Sequence, residues 1–101
     1  MIEVKMPQFK LGQVVATPGA LEALQRAGQV PWDFLSRHVA GDWGIVDDED
    51  KAANDAALKD GTRILSAYVL KDGQTKLWII TEATDDSGLR AATTLLLPSE
   101  Y

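Results

Sequence analysis

The chain has 101 residues, fifteen acidic against ten basic, for a net charge of −5, with no cysteine and a single histidine. That length suits one domain with one small core, and the lack of cysteine excludes disulfides, a thiolate nucleophile and a cysteine-based zinc site. The acidic balance disfavours a phosphate-tracking surface, so nucleic acid is not an expected ligand and a basic protein is the better match.

Hydrophobic residues at 46% and charged residues at 25% are the balance of a soluble globular domain, so residues 1–101 are read as one unit. The start, MIEVKMPQFK, has no apolar segment followed by a cleavage pattern, and no apolar run is long enough to span a bilayer. A cytoplasmic location without membrane attachment is therefore expected, with residues 1–8 flexible.

In chain order, Phe9, Leu11, Gln13 and Val15 alternate with Lys10, Gly12, Val14 and Ala16, which predicts a short strand over 9–16 at a sheet edge. Thr17 before Pro18 marks a helix start, with a hydroxyl to cap the first turn and a proline where no N–H is needed. Ala20, Leu21, Leu24 and Ala27 form its apolar stripe and Gly28 its end, giving a first helix over 18–27. Pro31 opens a second helix that runs to Ala40 and is closed by Gly41. Trp32, Leu35 and Val39 share one stripe, and Phe34 and His38 lie a turn apart beside it. After the loop Gly41-Asp42-Trp43-Gly44, the acids Asp47 to Asp50 lead into a third helix over 49–59. Its stripe is Ala53, Ala56, Ala57 and Leu58, and Gly61 ends it.

Residues 62–98 read as a three-stranded meander. Ile64, Tyr68, Val69, Trp78, Ile79, Ile80, Thr93 and Thr94 are β-branched or aromatic, and Asp72-Gly73 and Ser87-Gly88 punctuate the runs. Gly73 supplies the positive φ of a tight hairpin. Both faces of the first two runs are partly apolar, which makes the Trp78 strand the centre of a sheet either covered on both faces or covered by helices on one and by a partner on the other. The expected class is α+β: an antiparallel meander of three to four strands packed by two to three N-terminal helices. Trp78, Ile80, Leu65, Leu24, Leu35 and Leu95 are expected inside.

Five features carry possible chemistry. His38 is the one side chain whose ordinary pKa suits proton transfer near neutrality; equally, it is a helix-end histidine packed on Trp43 or capping carbonyls. Asp42, Trp43 and Gly44 read either as a ligand lip, with an indole to stack, or as a loop stapled to the core by a buried tryptophan. Ser66, Tyr68, Thr81, Glu82, Thr93 and Thr94 place polar groups on neighbouring strands, as a reactive patch or as cross-strand pairs. Arg63 and Arg90 are the arginines near the sheet, few for a phosphate-cleaving site. Asp47 to Asp50 lack the spread of an EF-hand and serve a helix start, so no metal is expected. No serine-hydrolase elbow, Walker loop, dinucleotide fingerprint or H-E-x-x-H occurs, and no cofactor is expected.

The segments LGQVVATPGALEAL, FLSRHVAGDWG, DEDKAANDAAL, RILSAY, LWIITEA and TTLLLPSEY together resemble a family of short proteins of bacterial plasmids, prophages and integrative elements. Its members are often labelled plasmid-related protein, or type I restriction methylation subunit, although no methyltransferase domain fits this length. The resemblance spans Leu11 to Tyr101 and includes His38, Gly41 to Gly44, Asn54, Ser66, Tyr68, Trp78, Thr81, Glu82, Thr93, Thr94 and Pro98. Where relatives tend to read T-E-A-D-R-S, this chain inserts residues between Ala83 and Arg90, which leaves that arginine without an assigned role.

What the resemblance implies is a setting, mobile DNA. There, small proteins commonly bind and inhibit host defence proteins. Under that reading the partner is a host or element-encoded protein met through Asp42, Trp43, Gly44, Tyr68 and Glu82, with the oligomeric state open, a dimer included. The alternative is a small ribonuclease or toxin of the barnase, colicin or RelE type using His38, Ser66, Tyr68, Thr81, Glu82 and Thr94.

Overall fold

The computed structural model describes residues 6–101. Within them lie β1 (Gln13–Ala16), α1 (Pro18–Arg26), α2 (Trp32–Val39), α3 (Asp48–Asp60), β2 (Ile64–Val69), β3 (Lys76–Thr81) and β4 (Ala92–Leu96), then a short 3-10 turn, Pro98–Glu100. The strands form one sheet in the order β1-β4-β3-β2. Antiparallel pairing joins β2 to β3 and β3 to β4, so the Trp78 strand is interior, while β1 joins the far edge parallel to β4. This is an α+β fold in which a strand meander packs against helices.

Local chemistry explains most element ends. Thr17 Oγ1 accepts the Ala20 N–H at 3.1 Å ahead of Pro18, and Asp47 accepts the Asp50 N–H at 2.8 Å ahead of three acids in the first turn of α3. Both devices satisfy N–H groups that a helix start leaves open, and the acids also meet the positive end of the helix dipole. In the hairpin between β2 and β3, Asp72 Oδ1 accepts the N–H groups of Gln74 and Thr75.

The edge strand starts four residues later than its alternation suggests. Gly12 has φ +66°, and a Cβ there would stand 2.3 Å from the Arg90 carbonyl oxygen, so the chain turns at this close approach before pairing with β4. Phe9 is thereby freed from the sheet and packs its ring against His38 and Trp43. Of the residues expected to be flexible, 1–5 lie outside the described residues, whereas the Gln8 N–H donates to the Val39 carbonyl at 2.7 Å.

The main core lies between one sheet face and the first two helices, where Ala20, Leu24, Phe34 and Leu35 meet Tyr68, Leu70, Leu77, Ile79 and Leu95. A second cluster, Trp43, Val46, Ala57, Ile64 and Ala67, wraps the β2 edge beneath α3. Leu24, Leu35, Ile80 and Leu95 are buried as expected, but Leu65 and Trp78 are half-buried on the face away from α1 and α2, which they share with the buried Ile80. Three helix stripes also differ. Leu21 is exposed, Trp32 is 60% exposed at the first turn of α2, and α3 buries Asn54 and Ala57 while Ala53 and Ala56 face outward.

Asn54 explains the last of these. Its side-chain amide donates to the Leu65 carbonyl at 2.7 Å and accepts the Leu65 N–H at 3.1 Å, completing the outer edge of β2 as another strand would. Two residues on, Ala67 makes the same pair of bonds with the loop: its N–H donates to the Trp43 carbonyl, and its carbonyl accepts from Ile45. The β2 edge is thus covered against strand addition.

Candidate functional site

The buried polar centre of the molecule is built on His38, which the turn of α2 after Phe34 drives onto the sheet. His38, Ser66, Thr81 and Thr93 are all fully buried. Ser66 opposes Ile79, and Thr81 lies opposite Thr93, so all three hydroxyls come from the face that meets α1 and α2. The contacts run in a line: Ser66 Oγ to His38 Nδ1 at 2.6 Å, His38 Nε2 to Thr81 Oγ1 at 2.8 Å, Thr81 Oγ1 to Thr93 Oγ1 at 2.7 Å, and Thr93 Oγ1 to the Leu11 carbonyl at 2.7 Å.

Counting protons orders that line. A carbonyl only accepts, so Thr93 spends its one proton on Leu11 and must accept from Thr81. Thr81 in turn has no proton left for the histidine and accepts from Nε2–H. Nδ1 is therefore bare and accepts the Ser66 proton. The ring is neutral in this arrangement, and burial, with the charge of Arg90 second, lowers its pKa from 6.5 to about 3. With both ring nitrogens engaged and Ser66 sealed from solvent, the geometry locks α2, the sheet and the segment before β1 together.

The remaining candidates fall into separate places. Tyr68 is 1% exposed, and its hydroxyl donates to the Asp42 carbonyl at 2.6 Å; burial pushes the phenol up to about 12. Trp43 is 5% exposed, with its indole N–H on Asp55 at 3.0 Å and its ring against His38 and Phe9. Gly44 pairs with Ala67, where a Cβ would strike the Ala67 carbonyl. Asp42 holds the Arg37 guanidinium at 2.8 Å, and that guanidinium lies 4.6 Å over the Tyr68 ring. The Asp42 hydrogen bond keeps Arg37 above its ordinary pKa. Trp43 and Tyr68 are thus interior staples and cannot supply the contact surface their types suggest. Glu82 and Thr94 point to the opposite sheet face from His38, so the six residues of a nuclease-like patch are split by the sheet.

Two further features bear on what this molecule can do. Arg90 is 8% exposed, and its guanidinium donates to three carbonyls: Thr62 at 2.8 Å, Glu82 at 2.9 Å and Ala57 at 2.9 Å. It ties the end of α3 to the exit of β3. The other feature is the partly covered sheet face opposite α1 and α2, where Ala67, Ile80 and Leu96 are buried while Leu65 and Trp78 are half-buried. Ile45, Val46, Leu65, Ala67, Trp78 and Pro98 line a groove of about 410 Å³ with Asp47, Asp50 and Lys76 at its rim. Asp50 and Leu65 continue into a recess of about 220 Å³ bordered by Arg63. Tyr101 packs on Trp78, ring centroids 5.6 Å apart, and its hydroxyl accepts from the Arg63 guanidinium at 2.8 Å. The sequence signal for this face was the apolar pattern on both sides of β2 and β3.

Compared with family models, curated proteins and solved structures, the chain gives no match. Its chemistry is therefore read from its own residues. Among the described residues no group of three or more histidine, cysteine or carboxylate side chains converges as a metal site, and no helix is long and apolar enough to cross a membrane.

Proposed function

We propose that this protein acts in the cytoplasm by binding another protein, and that the contact is the sheet face opposite α1 and α2. The observation that carries this reading is the groove beneath Trp78, where Trp78 and Leu65 are half-buried and Ile45 is 53% exposed. An aromatic anchor with aliphatic neighbours and a polar rim is the composition of interface centres. Asp47 and Asp50 line the rim, and Asp48 and Glu49 stand exposed in the same turn, against Lys76 and Arg63. In a chain of net charge −5, that rim favours an occupant with an apolar anchor flanked by lysine or arginine. The resemblance to proteins of mobile elements adds the setting, in which inhibition of a host defence protein is the role assigned by analogy.

The test is peptide display against the immobilised protein. Enriched peptides should combine basic residues with an aromatic or aliphatic anchor. Ile45→Asp should weaken their binding about tenfold or more, and Trp78→Ala should cost about 2 kcal/mol of affinity, with melting temperature recorded beside each. Asp50→Lys should weaken binding most at low salt. Enrichment of acidic peptides, binding that survives Ile45→Asp, or RNA cleavage by the wild type that is lost in a folded His38→Gln variant would each overturn the proposal.

A further inference from the structure

We infer that the recess beside the end of α3 binds a phosphate group, either free or carried by a small organic molecule. This recess, of about 400 Å³, lies on a different part of the surface from the groove under Trp78 and stands independently of it. Its volume is in the range of small-molecule sites.

The argument is one of charge. Lys10, Lys59 and Arg90 line the recess with one carboxylate, Asp60, in a chain that carries fifteen acids to ten bases. The ion pairs found among the described residues, Arg26 with Glu22 and Arg37 with Asp42, lie elsewhere. Among the described residues none of the three cations has a carboxylate at salt-bridge distance, and Asp60 acts on Arg90 only through space. Asp60 turns its carboxylate to the Thr62 N–H and hydroxyl, at 3.0 and 2.7 Å.

Arg90 is the decisive member. Its guanidinium is buried with three of its five N–H groups on carbonyl oxygens, which carry no net charge; the carboxylate whose charge acts on it, Asp60, lies in the same recess, so Lys10, Lys59 and Arg90 against Asp60 leave the recess net positive. The field of Arg90 extends into the interior, where it adds to the lowering of the His38 pKa. A positive charge held in low dielectric attracts an anion more strongly than the same charge in water. Lys10 and Lys59, exposed on flexible stems, can fold their ammonium groups over such an anion. Phosphate suits three cations better than a carboxylate because it brings up to two charges and several acceptor oxygens. The Phe9 ring on the wall offers an apolar surface for an attached organic group.

An NMR titration at constant ionic strength, with inorganic phosphate in one arm and adenosine 5′-monophosphate in the other, tests this. Saturating shifts are expected at the Gly61, Thr84 and Gly88 amides, with Kd of about 1 mM or tighter for at least one ligand. The double variant Lys10→Gln, Lys59→Gln should weaken that binding about tenfold without changing the melting temperature, since both side chains are exposed. Tighter binding of the monophosphate assigns the site to an organic phosphate; equal or weaker binding assigns it to the free anion. Shifts that fail to saturate with both ligands, or saturation unchanged in the double variant, would overturn the inference.

Discussion

Acidification from about pH 7 to about pH 4 should remove about 3 kcal/mol of folding stability through His38 alone. The ring is fully buried between Ser66 and Thr81, and its pKa falls from 6.5 to about 3 in the folded state, chiefly through burial and then through the charge of Arg90. Between those values the unfolded chain binds a proton that the folded chain refuses. Stability is therefore complete above about 6.5, declines by up to about 1.4 kcal/mol per pH unit, and has lost the whole contribution below about 3. Ser66 can turn its hydroxyl to accept from a protonated Nδ1, so the loss reflects the desolvated charge more than a broken hydrogen bond.

The carboxylates held below their ordinary range act later. Asp60, Asp72, Asp85 and Glu100 are each lowered first by a side-chain hydroxyl, from Thr62, Thr75, Ser87 and Thr17 respectively. Their contributions are present above the usual carboxylate pKa near 4 and are lost only as pH falls below it. Since His38 is the sole histidine, the decline between about pH 6.5 and about pH 4.5 belongs to it. Urea midpoints across that window should fall for the wild type and stay level for a folded His38→Gln variant. A wild-type stability that is flat there would show that the ring is not buried neutral.

Replacing Arg90 by Met should cost roughly 3 to 5 kcal/mol. The guanidinium makes three hydrogen bonds to carbonyls of three different segments, and bonds from a charged donor contribute about 1.5 to 3 kcal/mol each. Part of that is offset because a methionine no longer buries a charge. Ala57 also keeps a second partner, the Gly61 N–H at 2.9 Å. Arg90→Lys should recover only a minor part, since a single ammonium cannot reach three carbonyls spread around a planar fork. Denaturant unfolding measures both. A loss below about 1 kcal/mol for Arg90→Met would mean that desolvation already cancels the three bonds.

One part of the fold is written in short-range chemistry and is legible from the residues alone. Thr17-Pro18, Asp47 with Asp50, and Asp72-Gly73 each act within four residues, and the helix starts and the hairpin stand where those residues place them. The period of 62–98 likewise specified strands, because side-chain alternation is a local property. Tertiary structure decided what each face meets. Whether Trp43 and Tyr68 are contacts or staples depends on the loop pairing with Ala67, twenty or more residues along the chain. The parallel docking of β1 on β4 joins residues about eighty apart and leaves no trace in either segment. The ordered chain from Ser66 through His38 to Leu11 needs α2, three strands and the turn at Gly12 at once. Asn54 and Arg90 look like solvent-facing polar residues in a one-dimensional reading. They are interior because backbone groups of distant segments require partners, a demand that exists only once those segments have met.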